Sequence, residues 1–225
     1  MAQNATGSGV REARKRPWGR VGWAYRSPAE RKDGRHPLRR YDFEGGGKIA
    51  SDRVGSAHGT VEGFASQTEL NDKGVLALLG NGSYVNLPNF LISKLANVSI
   101  ETWVSWNGGK PWQRIFDFGG SNAASPEDNP LDGKDYLFLS ASTPADRGGG
   151  SRFGFSLTGS GGESPFTDPL SSINDVNVWL GRSQYVNDPA FSGTFYEFRI
   201  YDDALTAQQI AISYVGGPDP VFLAE

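Results

Sequence analysis

The chain contains no cysteine. That excludes disulfides, thiolate catalysis and any cysteine-ligated zinc or iron–sulfur site. It leaves the redox compartment open, because a cysteine-free chain folds equally well inside or outside a cell. Histidine is scarce too: the only two are His36 and His58. One lies in a basic segment and the other in a Gly-rich loop, a poor basis for a Ser-His-Asp triad. No apolar run approaches the ~18 residues that a membrane-spanning helix needs. The apolar core of a secretory signal is also missing from the start of this sequence.

What is present is turn chemistry and acid. The 225 residues include 30 Gly and 13 Pro, with 37% hydrophobic residues, enough for one domain with a sizeable core. The net charge of −3 hides a split near Arg40. Residues 1–40 carry a net charge of +8, and residues 41–225 carry −11. Residues 1–38 hold REARKRPWGRVGWAYRSPAERKDGRHPL, which shows no sustained apolar face at helix or strand period. That composition predicts disorder. Its mixture of Lys/Arg with Trp18, Trp23 and Tyr25 is the composition that binds nucleic acid by phosphate contact and stacking. A solvated tail or a misassigned start accounts for the same letters, and nucleic acid is the weaker expectation.

From Arg39 the pattern changes. LRRYDFE, GVLALLG, SYVNLP, VSIETWVSW, QRIFDFG, DYLFLSA, SRFGFSL, NVWLGRS and GTFYEFRIY are short runs of aromatic and β-branched residues separated by Gly, Asn, Asp and Pro. In VSIETWVSW the alternation places Val98, Ile100, Thr102, Val104 and Trp106 on one face. In TFYEFRIY it sets Phe195, Glu197, Arg199 and Tyr201 against Tyr196, Phe198 and Ile200. Nine such runs at this spacing predict an all-β sandwich or barrel. One helix signal is good: Thr206 and Gln209 form a capping box. Ala207, Ile210, Ala211 and Tyr214 recur at helical spacing, and Gly216–Gly217–Pro218 ends the run. A second short helix is expected at Asn89–Leu95. The domain thus spans 39–217, followed by a tail at 218–225.

Five blocks in order carry a family likeness: RYDFEGGGKIASDRVGSAHGTVEG, LALLGNGSYVNLPN, VSIETWVSWNGGKPWQRIFDFG, DYLFLS and NVWLGRSQYVNDPAFSGTFYEFRIYDDALTAQQI. Over residues 39–215 the chain resembles laminin G-like domains of the concanavalin A-like lectin/glucanase superfamily, in their bacterial-type branch. The resemblance implies a jelly-roll sandwich of two antiparallel sheets with one short C-terminal helix, and a surface or extracellular setting. It also exposes a departure. Such domains carry a W-x-H-V-A-V-T segment and an L-Y-V-N-G segment, two adjacent strands, before the block that starts near 174. Here SLTGSGGESPFTDPLSSI is too short and too rich in Gly, Ser and Pro to supply both. The sandwich is therefore expected to be incomplete, with sheet edges left open.

The chemistry follows from what the strands and loops hold. Glucanases of the superfamily use paired carboxylates on one strand at E-x-D-x-(x)-E spacing. No such spacing occurs; Glu101 is the only acidic residue of its strand, and Glu197 has none at i±2. The expectation is a protein without catalytic activity. The resemblance implies a structural Ca²⁺ at one edge, and the matching positions are Asp52 and Glu197, with carbonyls near Glu44 and His58. The plainer alternative is an Asx turn at Asp52 and an ion pair at Glu197. The loop SPEDNPLDGKDY adds Glu127, Asp128, Asp132 and Asp135, which read as a solvated loop before a cation site.

Trp112, Tyr185 and Phe191 lie in or near loops and could stack on a sugar ring, with core packing as the alternative. Trp103, Trp106, Trp179, Phe116, Phe118 and Phe198 sit in strands and read as core. Arg114 and Arg182 are expected to pair with acids such as Asp117 or Asp188 and hold the rim. The sequence thus points to a non-catalytic module that binds glycan or protein ligands through loops 107–112, 119–134 and 183–191. A glycoside-active enzyme or a remnant without ligand are its alternatives.

Overall fold

A computed structural model describes residues 36–70, 73–121, 133–156 and 168–218. The chain forms two antiparallel sheets and one helix. The strands are β1 (Arg39–Tyr41), β2 (Ile49–Ala50), β3 (Gly59–Glu62), β4 (Gln67–Leu70), β5 (Lys73–Leu79), β6 (Tyr84–Leu87), β7 (Ser99–Trp106), β8 (Arg114–Ser121), β9 (Gly133–Ser140), β10 (Arg152–Ser156), β11 (Asn177–Leu180) and β12 (Ser192–Tyr201), followed by α1 (Ala207–Gly216). All nine strand runs read from the sequence form strands. Three more, β2, β3 and β4, are too short or too polar to show a period of two. The helix expected at Asn89–Leu95 does not form. That segment is a chain of turns pinned from outside, with Ile92 N–H donating to Asp175 Oδ2 (2.8 Å) and Phe90 N–H to the Asp175 carbonyl (2.9 Å).

In the smaller sheet β12 is the axis. β7 pairs along one side of it, and β1 and β5 lie end to end along the other, with β4 outside β5. The larger sheet runs β10-β9-β8-β11-β6-β3-β2. The core lies between the sheets. Phe198 of β12 packs at 6.0 Å from both Phe116 and Phe118 of β8, so β12 lies over β8. Leu78 of β5 lies against Gly181, just after β11; a Cβ at Gly181 would sit 2.3 Å from Leu78 Cδ1, and its φ of +84° also calls for glycine.

That order places β7 above β9 and nothing from the smaller sheet above β10. Phe153 of β10 shares a face with the core residue Leu139, and it is 61% exposed. Among the described residues β7 pairs only with β12. Among the described residues no strand covers that side, where the short SLTGSGGESPFTDPLSSI stretch leads one to expect an open edge. Residues 157–167 of that stretch lie outside the described residues.

Two expectations about packing are corrected. In α1 the capping box forms as read, but Ile210 and Tyr214 point to solvent (51% and 81% exposed), and Ser213 is the residue the helix buries. The reason is polar anchoring: Ser213 Oγ donates to Glu101 Oε2 (2.8 Å) and accepts from Arg199 (3.3 Å) on the outer face of the smaller sheet. Trp106 is 38% exposed at a strand end, and Trp103 lies under the Arg199 guanidinium at 4.5 Å.

Candidate functional site

The loop NGGKPW connects β7 to β8. Gly108 and Gly109 adopt φ of 80° and 115°, which turn the chain back on itself. Gln113 closes the turn. Its buried side-chain amide donates to the carbonyls of Gly108 (3.0 Å) and Lys110 (3.1 Å), and its Oε1 accepts from Ser192 N–H (2.7 Å) and Trp106 Nε1 (3.2 Å). The result is a fixed rim with Trp112 at its crest.

Trp112 is half-buried and has φ 70°, a backbone state costing a bulky residue about 1–3 kcal/mol. Two hydrogen bonds hold it there: Trp112 N–H to the Ser142 carbonyl (2.9 Å), and Arg114 Nη1 to the Trp112 carbonyl (3.3 Å).

Arg114 joins the parts. It is 3% exposed, its Nε donates to Asp117 Oδ2 (3.1 Å), and its Nη2 pairs with Asp188 Oδ2 (3.0 Å). Its guanidinium lies 4.0 Å over the Phe138 ring and 5.3 Å from Trp112. The expected pairing of Arg114 with Asp117 and Asp188 is met by both. Arg182 does something else: it stacks over Tyr84 (4.6 Å) and Trp179 (4.5 Å) on the outer face of the larger sheet. Trp179 is buried on that outer face, where its Nε1 donates to Asn86 Oδ1 (3.2 Å).

Burial pushes the Asp117 carboxyl up to about 6, against the pull of Arg114 and of the Gln184 N–H that lower it. Asp188 is raised for the same first reason. Asp117 Oδ1 has no hydrogen-bond partner among the described residues. A carboxyl whose folded pKa lies above its unfolded one binds protons better when folded. Its stabilising contribution is therefore full below about pH 4 and is lost as pH rises through 6. The difference in unfolding free energy between wild type and Asp117→Asn should fall by about 2 kcal/mol from pH 4 to pH 7. Urea titrations at the two pH values measure it; a pH-independent difference would contradict the reading.

The aromatic candidates separate. Trp112, Phe138, Tyr136 and Tyr185 form one row on the outer face of the larger sheet, with ring centroids 6.4, 5.7 and 5.7 Å apart. Phe138 and Tyr136 are buried, so only the ends, Trp112 and Tyr185, reach the surface. Tyr185 Oη donates to Tyr136 Oη (3.2 Å); burial, then that bond, raises the Tyr185 pKa. Phe191 is not at the rim. It is fully buried at 5.3 Å from Phe195, because its N–H bonds to the Gly181 carbonyl (3.1 Å) and its carbonyl to Gly80 N–H (3.0 Å), which aim it into the core.

The two proposed metal ligands are spent on other partners. Glu197 is 1% exposed and accepts from Arg40 Nε (2.6 Å), Arg40 Nη2 (2.9 Å) and Arg199 Nε. Asp52 accepts from the backbone N–H groups of Arg40, Val54 and Ala57 and pairs with Arg39. Guanidinium groups already supply the positive charge there, and these carboxylates do not fit a Ca²⁺ site, which needs ~6–8 oxygens open to the ion. Among the described residues no group of three His, Asp or Glu could hold a metal. Glu127, Asp128 and Asp132 lie outside the described residues.

Beside Trp112 the sequence reading missed a cleft of about 270 Å³ lined by Thr143, Arg147, Gly148, Gly150, Ser151 and Arg152. The Arg152 guanidinium is 5.9 Å from the Trp112 ring. Buried Thr143 locks this turn: its N–H and Oγ donate to the Gly150 carbonyl (2.9 and 3.2 Å), and its Oγ also reaches the Arg147 carbonyl (3.1 Å). The only sequence signal was DRGGGSR, a basic, Gly-rich turn after a strand.

Among solved structures, the chain is similar to domain 4 of AbnA, a GH43 extracellular arabinanase from Geobacillus stearothermophilus, in complex with arabinotriose. The identity is 22%, covering 77% of this chain and 96% of that one, with a TM-score of 0.50. That likeness establishes the sandwich. No protein-family model and no curated protein matches the chain. No helix of the described residues is long and apolar enough to cross a membrane.

Proposed function

We propose that this chain is a non-catalytic carbohydrate-binding sandwich of the laminin G-like kind, which seats one sugar ring of an oligosaccharide against Trp112. The observation that carries the reading is Trp112 itself. It is a half-buried indole held in a costly backbone conformation by two hydrogen bonds, beside a cleft rich in polar groups. Strain kept at a surface aromatic is what a preformed platform requires. The cleft is slightly below the ~300–1,000 Å³ of drug-sized pockets, which suits a single ring at the end or side of a chain. Ser151 and Arg147, which line the cleft, supply donors that orient a sugar while the ring face stacks. The arabinotriose bound to the AbnA domain makes a short oligosaccharide the natural first probe. That domain comes from an extracellular enzyme, which agrees with an extracellular setting for this one.

The test is calorimetric titration with arabinotriose and a panel of neutral trisaccharides. Trp112→Gly relieves the positive φ while removing the platform. It is expected to weaken binding about tenfold or more with a near-native melting curve. Folded wild type that binds none of the panel, or a Trp112→Gly protein that binds as well as wild type, would defeat the proposal.

A further inference from the structure

We infer that the site takes an extended oligosaccharide that spans two aromatic platforms, Trp112 at one end and Tyr185 at the other. The inference rests on the carbohydrate reading of Trp112 and deepens it, adding a second ring contact and with it a ligand length. Trp112 and Tyr185 are the two surface ends of one row of rings that runs along β9. Ser142, just past β9, holds the Trp112 N–H at one end, and Gly133, the first residue of β9, touches Tyr185 at the other. The three ring-to-ring steps of 6.4, 5.7 and 5.7 Å put the ends at most about 18 Å apart, on a strand that rises about 3.4 Å per residue. One sugar ring cannot touch both. At ring-to-ring steps of ~4.5–7 Å, a saccharide of about four residues does.

Both ends are fixed to one ion-pair cluster, so their spacing is set before a ligand arrives. Arg114 Nη1 donates to the Trp112 carbonyl (3.3 Å), and Arg114 Nη2 pairs with Asp188 (3.0 Å). Asp188 N–H donates to the Tyr185 carbonyl (3.2 Å). Ser183 Oγ accepts from the Tyr185 N–H (3.1 Å) and donates to Asp188 Oδ2 (2.7 Å). The Gln184 N–H ties the same loop to Asp117 Oδ2 (3.1 Å). The Tyr185 ring is wedged as well: its Oη bonds Tyr136 Oη (3.2 Å), and a Cβ at Gly133 would sit 2.7 Å from its Cε2. Between the two ends, Arg114 stacks on Phe138 (4.0 Å) and holds Asp188, whose side chain is 17% exposed. That carboxylate is an acceptor for a sugar hydroxyl midway along the row. Rings pinned this way lose little freedom on binding, and a ligand seated on one ring meets the second at high effective concentration.

The experiment titrates the full chain by calorimetry with linear arabino-, xylo- and cello-oligosaccharides, from disaccharide to hexasaccharide. In the series it binds, wild type should gain about tenfold in affinity from disaccharide to tetrasaccharide and little beyond. Tyr185→Ala should abolish that gain and leave the disaccharide affinity unchanged. Tyr185→Leu, which keeps packing against Tyr136, should do the same and serves if Tyr185→Ala does not fold. Tyr185→Phe keeps the ring and should keep the gain. Trp112→Gly should weaken binding at every length. Affinity that does not rise with length, or a rise that survives in Tyr185→Ala and Tyr185→Leu, would overturn the second platform and leave the first standing. Equal loss of disaccharide and tetrasaccharide in those variants would mark Tyr185 as structural and overturn it too. No binding of any series by folded wild type, or binding that ignores Trp112→Gly, would overturn both platforms.

Discussion

Glu197→Gln is expected to lower the unfolding free energy by about 3–5 kcal/mol at neutral pH. Glu197 sits on the outer face of β12 with 1% of its surface exposed, and it is the shared anion of Arg40 and Arg199. Arg40 is near enough to water, with 15% of its side chain exposed, to turn outward when its partner goes. Arg199 has no such exit. It is 1% exposed, capped by Trp103 at 4.5 Å, and its remaining contacts are Ser213 (3.3 Å) and a long approach to Glu101 (3.8 Å). Its Nη2 already lacks a partner among the described residues. Neutralising Glu197 therefore strands a buried cation. The midpoint in a thermal melt should drop by roughly 10 °C. Arg40→Met should cost clearly less, because it removes the partner that water could have replaced. If Glu197→Gln unfolds within about 1 kcal/mol of wild type, the cluster is not a stabilising one.

Arg114→Met should be of similar size, about 3–5 kcal/mol at pH 7, for the mirror-image reason. The substitution keeps much of the side-chain volume over Phe138 and removes the cation from two carboxylates. Asp117, fully buried, would then face Asp188 with no guanidinium between them. Burial already raises Asp117 to about 6 with Arg114 in place, so its loss raises it further. The cost should shrink toward pH 4, where Asp117 protonates and needs no counter-charge. Sugar binding should fall with it at every pH, because Arg114 also holds the Trp112 carbonyl in its left-handed turn. Urea unfolding at pH 4 and 7, paired with titration of the same protein, checks both. A pH-independent cost would show that Arg114 contributes packing and not charge.

These two clusters mark the limit of what could be read along the chain. Each run of alternating apolar and polar residues became a strand, because period-two patterning with turn residues at its ends is a local property. The capping box at Thr206–Gln209 is local in the same way and formed as read. Trp112 could be picked out because Gly108–Gly109 and Pro111 mark it as a loop residue. The larger contribution of tertiary structure lies where a side chain's fate depends on a distant partner. The guanidinium that takes Glu197 is 157 positions earlier, and no spacing rule connects them.

Phe195 shows the same limit in miniature. Strict alternation puts it with Glu197 and Arg199, on the face opposite Phe198. The register shift between Phe195 and Glu197 adds one residue to that strand, and Phe195, Phe198 and Ile200 all turn inward to full burial. Phe191 followed it into the core, and Ile210 and Tyr214 went the other way. The sequence by itself determined that the chain would form an all-β sandwich with a capped C-terminal helix. Only the tertiary structure decided which carboxylates meet arginine, which aromatics reach the surface, and that a Gly-rich turn carrying two arginines would stand beside Trp112. Secondary structure answers to neighbours along the chain, whereas burial and ion pairing answer to neighbours in space.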